Sequence, residues 1–232
     1  MAVYRFEHNT ELATALAARV AALLTAAIAE RGNATLAVSG GSTPAPLFDA
    51  LSAAPLDWSK VAITQVDERW VDAYHPDANA RLIRERLLQN AAAHAHFISM
   101  KCDADSPFGA EEQVSANLAL FAAGIDVVIL GMGEDGHTAS FFPGARELAS
   151  ALDTRSAALV AAVTPPTAPH ARMTLTLSAL LRARHSFLHI TGPAKLKVLD
   201  RASVPGPLEE LPVRSVLQQP ELALDIYYAQ RN

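Results

Sequence analysis

The 232-residue chain has a single cysteine, Cys102, so no intrachain disulfide can form and a reducing, cytoplasmic setting is expected. It has no basic excess either. Lys and Arg number 19 against 24 Asp and Glu, a net charge of −5, which leaves no broad positive field for nucleic acid or an anionic membrane. An anionic ligand must then be held by a few local cations and backbone amides. Aromatic residues make up only 6%, while half the chain is apolar, so the core is built from Ala, Leu and Val. Met1–His8 lacks the charged start, apolar run and small-residue cleavage site of a signal peptide. Leu12–Ala29 is rich in Ala and Leu, but Thr14, Arg19 and Thr25 interrupt it and Glu30-Arg31-Gly32 closes it. That pattern predicts a buried amphipathic helix rather than a membrane span. No cysteine pair or His-x-x-x-His spacing accompanies His137, so no metal site is expected. The length and the absence of a repeat or low-complexity linker suit one domain over residues 1–232.

What is present is a regular alternation of helix-like and strand-like segments. Thr10 is placed to cap a helix over Glu11–Glu30 that Gly32 stops. Strands are predicted at Ala34–Val38, Val61–Val66, Phe97–Met100, Ile125–Leu130, Ala157–Val163, Arg172–Leu177, Phe187–Thr191 and Leu222–Tyr228. Helices are predicted from Thr43-Pro44 to Ala53, Ala78 to Asn90, Ser106-Pro107 to Ala122, Ser178 to Arg184, Pro193 to Asp200, and briefly over Leu211–Gln218. Asp67–Asp77 reads as a polar loop. Strands separated by helices imply an α/β fold, a mostly parallel sheet with helices on both faces. Ligands of such sheets sit beyond the carboxyl ends of the strands. That rule selects four loops: Ser39–Thr43, Asp67–Tyr74, Gly131–Gly144 and Gly192–Lys195.

Ser39-Gly40-Gly41-Ser42-Thr43-Pro44 leaves a strand and opens a helix. Its glycines admit a ligand close to the backbone, and the helix start offers unpaired N–H groups and hydroxyls to an anion. It lacks the Gly-Lys-Ser/Thr ending of a P-loop. Asp67-Glu68-Arg69-Trp70 sets a carboxylate and a guanidinium at the next strand end, suited to sugar hydroxyls and phosphate, although a plain Glu68–Arg69 ion pair would use the same residues. Lys195 stands in the first turn of its helix, where a cation opposes the helix dipole, which points to an anion nearby.

Gly131-Met132-Gly133-Glu134-Asp135-Gly136-His137 carries the reactive groups. It matches G-x-G-x-x-G formally, but the pattern requires a helix after the third glycine, and Pro143-Gly144 cuts the segment short. An imidazole titrates near neutral pH and suits proton transfer. Asp135 is placed to orient His137 or stabilise its charged form. With no G-x-S-x-G elbow, a His that activates water fits better than a serine nucleophile.

Ser39-Gly40-Gly41-Ser42-Thr43-Pro44, Asp67-Glu68-Arg69-Trp70-Val71 and Gly131 through Pro143 resemble, in order, the signature blocks of the 6-phosphogluconolactonase family. Arg172-Met173-Thr174-Leu175-Thr176, Gly192-Pro193-Ala194-Lys195 and Leu211 through Leu217 extend the likeness over nearly the whole chain. The chain departs from the pattern at Ala78, where members often carry serine, and at Asp72, where proline is frequent. The resemblance implies a modified Rossmann-like fold shared with sugar-phosphate isomerases and deaminases. It implies hydrolysis of 6-phosphogluconolactone to 6-phosphogluconate without a cofactor. On that basis His137 is the general base and Asp135 its support. Gly40, Gly41, Arg69 and Lys195 bind the 6-phosphate together with the hydroxyls of Ser39 and Ser42. Asp67 and Arg172 line the sugar site, beside Gly133 of the histidine loop. The expected partner is the small-molecule substrate alone, with a monomer or weak homodimer as the assembly. A glucosamine-6-phosphate deaminase is the alternative, but its relay needs a glutamate where this chain has Phe142. A sugar-phosphate-sensing domain is a second, but no basic helix pair is present for DNA.

Overall fold

Short aliphatic runs bounded by turn residues form the strands of the computed structural model, which describes residues 1–231. In chain order these are β1 (Val3–His8), β2 (Ala34–Val38), β3 (Val61–Gln65), β4 (Asp67–Arg69), β5 (His96–Phe97), β6 (Val127–Leu130), β7 (Val160–Val163), β8 (Arg172–Leu175), β9 (His185–Thr191) and β10 (Leu224–Arg231). Seven of them make one parallel sheet in the order β1-β10-β9-β6-β2-β3-β5. Alternation divides their side chains between two cores. Leu36, Val38, Val127, Ile129 and Phe187 face one side, where Leu12, Leu16, Val20 and Leu24 of helix α1 (Asn9–Arg31) and Leu47, Phe48 and Leu51 of α2 (Ala45–Ser52) cover them. Ala37, Val128, Leu130, Leu188 and Ile190 face the other, against Val114 of α3 (Glu111–Asn117), Leu118, Phe121 and Leu148. Helices thus cover both faces, as the alternation of segments requires.

The long apolar helix α1 is long and apolar enough to cross a membrane by composition. Its Leu12, Leu16, Val20 and Leu24 recur every fourth residue and are fully buried against the sheet and α2, so they form a core stripe. The helix begins at Asn9, one residue before the expected cap. Thr10 makes no capping bond, and the preceding residue, His8, is extended.

Several expected boundaries move. The sequence predicts no element within Met1–His8, yet Val3–His8 pairs in parallel with β10 as an edge strand. Thr43 does not cap α2, because Pro44 occupies that position and the helix starts at Ala45. The helix expected over Ala78–Asn90 is one α turn, Asn79–Leu82, continued by a π turn over Ile83–Leu87. That expected from Ser106 starts only at Glu111, and the strand expected over Phe97–Met100 is His96–Phe97.

The largest correction is Asp67–Asp77, which is not wholly a loop. Asp67–Arg69 is β4, part of a second, antiparallel sheet in the order β4-β8-β7. Asp67 lies opposite Thr174, and Arg69 opposite Arg172.

The main sheet also has a topological switch point. From β2 the chain moves outward through β3 to β5, then returns to place β6 on the other side of β2. The loops leaving β2 and β6 therefore diverge to opposite faces and open a crevice between them.

Candidate active site

A cavity of about 230 Å³ occupies that crevice. Ser39, Gly40, Gly41, Ser42 and Thr43 line one wall, Gly131, Met132, Gly133 and His137 a second, Asp67, Arg69 and Asn79 a third, and His189 and Lys195 close it. The four loops picked out from the sequence converge here.

Two short bonds lock the walls together. Ser39 N–H donates to Ile129 O at 2.9 Å, and Gly131 N–H donates to Ser39 Oγ at 3.2 Å. The wall at Gly40 also needs glycine. A Cβ there would fall 1.9 Å from Asn79 Oδ1, so only a bare backbone lets Asn79 reach across and donate to Asp67 O at 2.8 Å.

The histidine turn is built the same way. Gly133 N–H donates to His137 O at 2.9 Å and Gly136 N–H to Gly133 O at 3.1 Å, closing a tight reversal. The next helix, α4 (Leu148–Ala151), comes well after it, in keeping with the rejected dinucleotide pattern. The imidazole Nδ1 of His137 lies 2.6 Å from Asp135 Oδ1, which also accepts the His137 N–H at 3.1 Å. An ionised carboxylate can only accept, so the ring proton sits on Nδ1 and Nε2 keeps its lone pair. Burial pushes the Asp135 carboxyl upward, but the hydrogen bond and charge of His137 outweigh it and hold the group below the ordinary carboxylate range. A Cβ on Gly133 would fall 2.3 Å from the ring, so the dyad is packed directly on a bare backbone. Phe142 lies on another side, its ring centroid 4.6 Å from that of His137. Among the described residues, Asp135 is the only carboxylate bonded to this imidazole.

Asp67 is buried, and its Oδ2 accepts from Ser140 Oγ at 2.7 Å. Glu68 does not pair with the Arg69 guanidinium. It turns inward and accepts the backbone N–H groups of Arg69, Asn79 and Ala80 and the amide of Gln65, at 2.7–2.9 Å. Burial raises its pKa against these four donors. Arg69 is thereby freed toward the cavity and donates through Nη1 to Asp77 O at 2.5 Å. Arg172 is 4% exposed and is not among the lining residues. Its Nη1 bonds Pro169 O and His170 O, both at 2.6 Å, so it stands behind Arg69 rather than in the cavity. Desolvation first, then the Arg69 charge, lowers its pKa.

Lys195 enters from the first turn of α5 (Pro193–Ala202), its Nζ 3.4 Å from Thr43 Oγ1. Desolvation lowers its pKa against the pull of Glu134. Its ammonium brings a second positive charge, beside that of Arg69, to the lining of the cavity.

Sequence reasoning missed Asn79, Ser140, Asn9 and His189. A signal existed only for His189, a titratable side chain within the otherwise apolar run Phe187–Ile190. His75, Asp77 and His170 also bring three metal-capable donor atoms within 4.8 Å of one another, a cluster that no sequence spacing announced. The carbonyls of Asp77 and His170 hold the Arg69 and Arg172 guanidinium groups, so two positive charges border the cluster and disfavour a cation.

Residues 7–224 match the family model described as glucosamine-6-phosphate isomerases/6-phosphogluconolactonase. A 6-phosphogluconolactonase of Mesorhizobium japonicum is 46% identical over 224 residues, covering 97% of this chain and 93% of its own. A crystal structure of a 6-phosphogluconolactonase from Shewanella baltica superposes with a TM-score of 0.96 at 42% identity, covering 99% of this chain and 97% of that one. A monomeric glucosamine-6-phosphate deaminase shares the fold alone, at a TM-score of 0.79 and 18% identity, with 98% and 97% covered.

Proposed function

The chain belongs to the glucosamine-6-phosphate isomerase/6-phosphogluconolactonase family, and we propose that its cleft hydrolyses 6-phospho-D-glucono-1,5-lactone to 6-phospho-D-gluconate with water activated by His137. The enzyme is a carboxylic ester hydrolase of the oxidative pentose phosphate pathway. One observation carries the mechanism. His137, bonded to Asp135, lines the same cavity as the glycine-rich loop that leads into α2 and two cations, Arg69 and Lys195.

The chemistry follows from that arrangement. Nε2 of His137 takes a proton from water as the oxygen attacks C1, giving a tetrahedral intermediate. Collapse of the intermediate breaks the bond between C1 and the ring oxygen. The imidazolium returns its proton to that oxygen, which leaves as the C5 hydroxyl. Asp135 stabilises the transient imidazolium and fixes the tautomer. Asp67, with one carboxylate oxygen committed to Ser140, offers the other to the sugar hydroxyls. The amides of Gly40 and Gly41, the hydroxyls of Ser39 and Ser42, and the Arg69 and Lys195 side chains hold the 6-phosphate. Arg172 adds positive potential from behind Arg69. Gly133 supplies the bare backbone under the imidazole. Residues 1–232 act as one domain in the cytoplasm, as a monomer or weak homodimer without nucleic-acid or membrane partners, and none of these steps draws on a cofactor.

A deaminase relay would need a second acid at the imidazole, and Phe142 fills the neighbouring space. His137→Ala is expected to lower kcat by about 10²- to 10⁴-fold, the usual worth of a positioned base, with KM little changed. A wild-type kcat in that variant removes the general-base assignment.

A further inference from the structure

His189 has no part in the mechanism above, yet it is 2% exposed, lines the cavity and faces the amino end of α1. Its Nε2 lies 2.8 Å from Asn9 Oδ1, and Asn9 Nδ2 in turn donates to Thr43 O at 3.0 Å. The second bond fixes which way the Asn9 amide points. Oδ1 is therefore the acceptor, Nε2 carries the ring proton, and Nδ1 presents a bare lone pair. Among the described residues, no hydrogen-bond partner meets that atom. A buried acceptor left open is uncommon and calls for a donor. The titratable neighbour that bears on it is Lys195, which lines the same cavity and whose ammonium has three donors but, among the described residues, makes one long bond, to Thr43 Oγ1.

We propose that His189 is a positioning residue for the phosphate end of the cleft, holding Thr43 through Asn9 on one side and receiving the Lys195 ammonium at Nδ1, directly or through one water, once the phosphoryl group is bound. The proposal rests on the reading of Ser39–Thr43 and Lys195 as the phosphate cradle. The choice of side chain has a physical reason. A carboxylate at this place would orient Lys195 equally well but would cancel its charge and repel the phosphate. A neutral imidazole accepts a hydrogen bond and leaves the positive charge intact. Burial keeps the ring neutral, its pKa falling to about 3, with the charge of Lys195 adding to the effect.

Two near-isosteres separate the two ring nitrogens. In His189→Gln the amide nitrogen replaces Nε2 and can still donate to Asn9, but the Nδ1 acceptor is lost. In His189→Asn the side-chain oxygen replaces Nδ1, and the donor to Asn9 is lost. Steady-state kinetics on the 6-phosphorylated lactone and on unphosphorylated glucono-1,5-lactone, with inorganic phosphate as a competitive probe, read the result. Both variants are expected to raise KM for the phosphorylated lactone and Ki for phosphate about three- to tenfold, the usual worth of one hydrogen bond, with kcat and the unphosphorylated reaction unchanged. Wild-type KM and Ki in both variants overturn the proposal. So does an equal loss on both substrates with a lowered Tm, the signature of a structural role. Lys195→Ala is the control. If it raises KM while the His189 variants do not, only this inference fails. If it leaves KM and Ki unchanged, the cradle reading fails and this proposal with it.

Discussion

Gly133→Ala adds one methyl group, and the structure places it where the account is most sensitive. The new Cβ would fall 2.3 Å from Cε1 and Nδ1 of His137 and 2.5 Å from Asp135 Oδ1. Contacts between such atoms settle near 3.5 Å, so the imidazole must retreat by about 1 Å. Phe142 restricts the retreat on one side, and the 2.6 Å bond to Asp135 restricts it on another. Gly133 is not one of the positive-φ glycines, so alanine adds no backbone penalty and the perturbation is confined to the dyad. A displacement of about 1 Å at a reacting group is worth about 10²-fold in rate, so kcat should fall by about that factor with KM and Tm close to wild type. The assay is initial-rate lactone hydrolysis by pH-stat, beside a thermal melt. A double-mutant cycle sharpens it. On a His137→Ala background, Gly133→Ala should cost nothing further, since the group it displaces is gone. A wild-type kcat in the single variant, or an undiminished loss in the double, would refute the reasoning.

Other outcomes follow from the charges. Lys195→Ala should raise KM for the phosphorylated lactone by about 10- to 100-fold with kcat little changed, because the ammonium grips a group remote from C1; steady-state kinetics check it, and a fall in kcat alone would count against it. His189 links stability to pH. Its folded pKa of about 3 lies below the unfolded value, so as pH falls below about 6.5 the unfolded chain takes up a proton that the native state refuses. Stability should therefore drop toward acid by up to about 1.4 kcal/mol per pH unit from this one group. Urea unfolding between pH 7.5 and 4.5 should show a slope about one proton smaller in His189→Gln, and identical slopes would contradict it.

Where the sequence was legible, the signals were local. Glycines at strand ends marked Ser39–Thr43, Gly131–His137 and Gly192–Lys195, because each follows an apolar run within the same short stretch of sequence. The pairing of Asp135 with His137 is likewise a contact across two residues. What escaped depends on distant partners. The strand β4 is three polar residues with no strand-like composition, and it exists because β8 lies beside it. The inward turn of Glu68 depends on backbone donors at Asn79 and Ala80. Arg172 carries the expected charge, but its backbone acceptors at Pro169 and His170 turn it away from the cavity. His189 meets Asn9 from 180 residues away, a contact that only the closed parallel sheet creates. The edge strand Val3–His8 mixes charged and apolar residues on a largely exposed strand, so burial gave it little pattern to show.

The central claim is that one imidazole activates water at C1 while the far end of the cleft holds the phosphate. A crystal structure with 6-phosphogluconate tests it most directly. The account predicts the C1 carboxylate within about 3–4 Å of His137 Nε2, with the phosphate on the Gly40–Gly41 amides and Lys195. A product bound in the reverse sense, with its phosphate at His137, would contradict it.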